Sequence, residues 1–115
     1  MYGGGVPPQM VQEKPLAENV IFTFYTFSNA NIPSEDRWRP TGIPDVFFDN
    51  PEQAHRVLLE IRDEVSSDPE MEWTVMNLEK VETVPVSRTN ILALLNEGVG
   101  SFIQKYEIID RVGPK

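Results

Sequence analysis

Val20-Ile21-Phe22-Thr23-Phe24-Tyr25-Thr26-Phe27 is a run of β-branched and aromatic residues with no glycine, proline or charge inside it, the composition of a β-strand. Val20, Phe22 and Phe24 fall on one side and Ile21, Tyr25 and Phe27 on the other. Successive side chains alternate across a strand, so a run that is apolar on both sides is expected to be covered on both faces. The stretch therefore reads as the central strand of a sheet, and the rest of the chain is read outward from it.

Upstream, residues 1–19 open with Met1-Tyr2-Gly3-Gly4-Gly5-Val6-Pro7-Pro8. Free backbone rotation at glycine and the missing N–H of proline disfavour regular structure there, so a flexible N-terminal tail is expected, followed by one domain over 20–113. The glycines are no phosphate loop, because no strand precedes them and Lys14 is misplaced for one. Downstream, the stretch from Ser28 to Asp45 is crowded with proline and turn formers and forms a long loop, with Val46-Phe47-Phe48 a short edge strand at its end.

Asn50-Pro51-Glu52-Gln53 carries a helix start, with Asn at the N-cap, Pro at the first helical position and Gln where it can bond back to the cap. Ala54, Val57, Leu58, Ile61 and Val65 then recur at helical spacing, which predicts a helix over 51–65. Met71 to Met76 and Val81 to Val86 read as two strands, with Asn77, Glu79 and Lys80 as the turn between them; one long bent strand is the alternative, since no Asn-Gly or Asp-Gly marks a tight hairpin. Ser87 caps a second helix carrying Ile91, Leu92, Leu94 and Leu95, ending near Gly98, and Lys105 to Val112 closes the chain as a last strand.

The order is strand, long loop, helix, strand, strand, helix, strand. It resembles the βαββαβ order of ferredoxin-like folds, which implies an α+β domain with a small mixed or antiparallel sheet and two helices on one face. That topology serves many unrelated functions and assigns none.

At 115 residues the chain has room for one core. Its 40% hydrophobic content is enough to build one, unlike that of a disordered chain. With 18 acidic against 10 basic residues, a net charge of −8, it repels phosphate backbones and anionic membranes. Its longest strongly apolar run, eight residues, is far short of the roughly 20 that span a bilayer. There is no cysteine, hence no disulfide framework or thiolate chemistry. A cytoplasmic protein without nucleic-acid or membrane partners is expected.

No catalytic motif emerges. The one histidine, His55, lies on the first predicted helix without a nucleophile beside it and reads as a surface residue. Asp45 with Asp49, Glu60-Asp63-Glu64, and Glu70 with Glu72 do not have the spacing of a calcium loop, and the helical group reads as a solvated face with Arg56 in i,i+4 pairs. No metal and no cofactor are expected.

Arg37-Trp38-Arg39, in the long loop, combines the residue types most enriched at binding hot spots. The alternative is that Trp38 folds back over the sheet and the arginines pair with acids of the charged helix. Two functions are therefore weighed. One is a non-catalytic interaction domain that pairs with itself or another protein through the sheet face and the 28–49 loop. The other is a small-molecule binding protein or enzyme with a pocket between sheet and loop, Tyr25, Arg37, Arg39 and Tyr106 serving as polar contacts to an anionic ligand.

Overall fold

The computed structural model describes residues 20–40 and 44–115, so the expected N-terminal tail lies outside the described residues. Among these residues it shows a three-stranded antiparallel sheet and two α-helices. The elements in chain order are strand β1 (Thr23–Asn29), a 3-10 turn at Ser34–Asp36, helix α1 (Pro51–Ser66), strand β2 (Met76–Thr83), helix α2 (Arg88–Glu97), a 3-10 turn at Val99–Phe102, and strand β3 (Ile103–Val112).

Both helices begin where side chains satisfy free backbone N–H groups. Asn50 accepts a hydrogen bond from the Gln53 amide at 2.8 Å and Pro51 occupies the first turn, whereas Ser87 accepts from the Asn90 amide at 3.1 Å. Helix α2 stops at Gly98, whose φ of 96° lies in a region that only glycine adopts readily.

The sheet order is β1-β2-β3, with both pairings antiparallel. Two expectations are corrected by it. First, the aromatic run is not the central strand. It enters the ladder only at Thr23, continues through Ser28 and Asn29, and lies at one edge of the described strands, where Tyr25 and Phe48 exchange a single pair of backbone bonds at 3.0 and 2.8 Å. Ile21 and Phe22 are exposed, and the buried members of the strand are Thr26 and Ser28. These polar side chains are inside because each has a partner there: the Ser28 hydroxyl donates to Glu79 on the neighbouring strand, and the Thr26 hydroxyl donates to the Val46 carbonyl at 2.6 Å.

Second, in place of two strands over 71–76 and 81–86 there is a single strand, β2, closer to the one-strand alternative but confined to Met76–Thr83, and it is the centre of the sheet. Asn77, Glu79 and Lys80 are ladder residues rather than a turn: Glu79 pairs with Thr26 on one side and Ile108 on the other. The four-strand βαββαβ order is thus replaced by β-α-β-α-β.

The two helices are anchored unequally. Helix α1 packs on β1 and β2, burying Ala54 and Leu58, while α2 has no buried residue and rests mainly on the 3-10 turn that follows it. The buried apolar side chains among the described residues are Ala54 and Leu58 of α1, Leu78 and Val81 of β2, and Val112 of β3. The C-terminal end is tied to this layer by Arg62 donating to the Gly113 carbonyl, by the Lys115–Asp63 ion pair at 3.1 Å, and by the Trp73 indole donating to the Val112 carbonyl at 2.9 Å. No helix among the described residues is long and apolar enough to cross a membrane.

Candidate functional site

The centre of β2 places a carboxylate where the sheet is closed to water. Glu79 is 0% exposed, and an ionised carboxylate at such a position costs several kcal/mol unless it is paired and hydrogen-bonded. Three groups meet that demand. The Arg37 guanidinium donates from Nε to both carboxylate oxygens at 3.0 Å and from Nη2 to Oε1 at 2.8 Å. The Ser28 hydroxyl donates to Oε2 at 2.6 Å, and the Tyr106 hydroxyl donates to the same oxygen. Asp45 closes the set from the other side, its Oδ1 lying 3.0 Å from Arg37 Nη1.

Local structure brings these groups together. The turn at Ser34–Asp36 is held by the Asp36 amide on the Pro33 carbonyl at 2.9 Å and the Arg37 amide on the Ser34 carbonyl at 3.2 Å, which reverses the chain so that Arg37 points inward. Alternation along β1 puts Ser28 on the side of Thr26, and the ladder sets Thr26 opposite Glu79, so hydroxyl and carboxylate share a face. Tyr106 reaches the same face from β3, opposite Val81.

Aromatic packing seals the site. The Arg37 guanidinium carbon lies 4.1 Å from the centre of the Trp38 ring, a cation–π contact, and Trp38 meets Tyr106 edge-on at 5.9 Å and Phe47 in a stack at 6.4 Å. Gly100 is required here: a Cβ at that position would stand 2.8 Å from the Trp38 Cβ.

Burial works to lower the pKa of Arg37, but the hydrogen bond and charge of Glu79, with Asp45 behind them, outweigh it and hold the guanidinium above its ordinary value. The Tyr106 phenol is pushed up to about 12, first by burial and then by its hydrogen bond to and the charge of Glu79, against an opposing pull from Arg37. A raised phenol pKa means that the folded protein holds this proton more tightly than the unfolded chain does. Its contribution to stability is therefore complete below the unfolded value of about 10 and is lost as pH rises through about 12. Ultraviolet titration should show one tyrosine ionising late, and Tyr106→Phe should remove that late step; a Tyr106 that ionises with ordinary phenols would refute the hydrogen bond to Glu79.

Of the residues singled out in the sequence, Arg37, Trp38 and Tyr106 are brought together. Tyr25 and Arg39 are not. Tyr25 alternates to the opposite side of β1, and Arg39 is exposed and paired with Asp36 at 3.2 Å. Trp38 folds back over the sheet, but Arg37 finds its acids on β2 and in its own loop rather than on the charged helix. Glu79 and Ser28 are missed from sequence, and Asp45 is weighed there only as a carboxylate beside Asp49. The available signal is chemical: an arginine drawn under an aromatic ring requires a buried acid, and Glu79 stands between Leu78 and Val81 in a strand-like run.

The guanidinium, carboxylates and phenol are spent on one another, and the carboxylates of Glu79 and Asp45 occupy the donors that an anionic ligand would use. What this constellation can do is pin the loop to the sheet. Among the described residues no group of three or more acidic or histidine side chains is placed to hold a metal ion. No family model, curated protein or solved structure matches the chain.

Proposed function

We propose that this chain is a non-catalytic protein-interaction domain that pairs with a second copy of itself through helix α2. The observation that carries the reading is the state of that helix. Its ten residues bury none of their side chains, although Ile91, Leu92 and Leu95 are 40, 50 and 74% exposed. Isolated helices shorter than about 12 to 15 residues are marginal in water, and helices of this length draw their stability from an apolar face packed on something. The three residues fall within about 100° of one another on the helix, a single stripe.

A second copy fits the stripe electrostatically. The chain carries −8 overall, yet 84–103 contains Arg88 and Glu97 as its only charged residues, so two copies meet there without opposing acidic surfaces. Two-fold pairing of one patch with itself is also the commonest way in which such domains associate. The interaction surface is thus displaced from the sheet face under the 28–49 loop, which Arg37 and Trp38 already cover, to the helix beside it. The absence of cysteine agrees with a reducing compartment such as the cytoplasm.

Sedimentation over a wide concentration range tests the proposal. The mass is expected to rise from that of one chain towards that of two, and Leu92→Lys with Leu95→Lys is expected to hold the protein monomeric with its circular dichroism unchanged. A wild-type chain that stays monomeric throughout rules out the pairing.

A further inference from the structure

A cavity of about 410 Å³ opens where the end of the loop, the start of α1, the strand ends and α2 meet, apart from the Arg37–Glu79 centre. Its size lies within the range of about 300 to 1,000 Å³ typical of small-ligand sites. Four phenylalanines line it, Phe24, Phe47, Phe48 and Phe102. Three of these rings are braced from behind: Phe24 stacks on Phe22 at 5.9 Å, Phe48 on Phe27 at 5.9 Å, and Phe47 on Trp38 at 6.4 Å. A larger hollow of about 550 Å³ over Lys80, Glu82, Lys105 and Glu107 is a charged strand surface and has no comparable wall.

The polar groups at the aromatic cavity are few, which is how small-molecule sites define orientation. Asp49 lines it and forms no ion pair or hydrogen bond among the described residues. Gln53 stands one turn into α1 beside it. Thr83 lines it and is 1% exposed, and its hydroxyl oxygen accepts the Phe22 amide at 3.0 Å, which leaves the hydroxyl proton uncommitted in that bond.

We infer that this cavity binds a small organic cation, an ammonium group on an apolar or aromatic body. Three features favour that charge. The faces of the phenyl rings are the negative ends of their quadrupoles and attract ammonium groups. Asp49 supplies the counter-charge at the wall, and the −8 field of the whole chain raises the local concentration of cations. Anions meet the opposite of all three. The apolar body of the ligand covers the rings, and Thr83 offers one donor to an ether or hydroxyl oxygen. This site is independent of the pairing of α2: sedimentation reads the one and ligand titration the other.

The test is an amide-resolved NMR titration of the full chain with 2-phenylethylammonium and, separately, with 3-phenylpropionate, which has a similar shape and the opposite charge. The amine is expected to shift the amides of Phe48, Asp49, Thr83 and Phe102 saturably, with the carboxylate at least about tenfold weaker. Asp49→Asn is expected to weaken the amine about tenfold and leave the fold intact, because the side chain is exposed and bonded to nothing among the described residues. Equal binding of amine and carboxylate, shifts that do not saturate, or an Asp49→Asn variant that binds the amine as wild type does would each overturn the assignment.

Discussion

Glu79→Ala is expected to cost about 3 to 5 kcal/mol of folding stability, the cost of leaving one member of a buried ion pair alone. Removal of the carboxylate strands Arg37, which is itself buried and keeps only Asp45, a residue whose side chain is 29% exposed and partly satisfied by water. Ser28 and Tyr106 lose their acceptor at the same time. Since domains of this size are stable by about 5 to 15 kcal/mol, the loss brings the variant close to unfolding. Urea unfolding measures it as a lower midpoint at unchanged slope. Arg37→Met combined with Glu79→Leu should recover most of the loss, because an apolar pair of similar volume removes the desolvation penalty together with the bond. A Glu79→Ala variant as stable as wild type would show that the loop is held by Trp38 and Phe47 alone.

The same ion pair explains which parts of the fold could be read from sequence. Helix α1 was legible because its determinants are local: Asn50 and Pro51 start it, and Ala54 and Leu58 recur on one face and are the two residues it buries. The start of α2 at Ser87 and its end at Gly98 were legible for the same reason. The sheet was not, because its determinants are distant. Glu79 is tolerable at the centre of β2 only because Arg37 and Ser28, 42 and 51 residues away, bond to it. Judged by its neighbours alone, Asn77-Leu78-Glu79-Lys80 has the polarity of a turn. The error at Val20 to Phe27 is the converse. Its apolar residues promise burial, yet Ile21 and Phe22 precede the ladder, and Phe24 and Phe27 are covered by contacts with Phe22 and Phe48 at a sheet edge. At the site, Arg37, Trp38 and Tyr106 could be named by residue type, but their acid could be found only by pairing strands.

Leu58→Ala is expected to destabilise the protein by about 2 to 5 kcal/mol, the cost of a buried leucine truncated to a methyl group with the cavity only partly collapsed. The high end of that range is favoured by how little else shares the load. Leu58 is fully buried, and Ala54, Leu78, Val81 and Val112 complete the buried apolar set among the described residues, while Ile61, one turn further along α1, remains exposed. No other large side chain of α1 is buried to take its place. The loss should also propagate, because the contacts of Arg62 with Gly113 and of Lys115 with Asp63 hold the chain end only while α1 stays on the sheet. Leu95→Ala, on the exposed side of α2, is the control and should change monomer stability by less than about 0.5 kcal/mol. Urea midpoints for the two variants at one low protein concentration decide the matter: equal effects would mean that α1 is not the element closing the core. With Leu58→Ala and Glu79→Ala combined, the summed cost reaches the total stability usual for such a domain, so the double variant is expected to be largely unfolded at room temperature without denaturant.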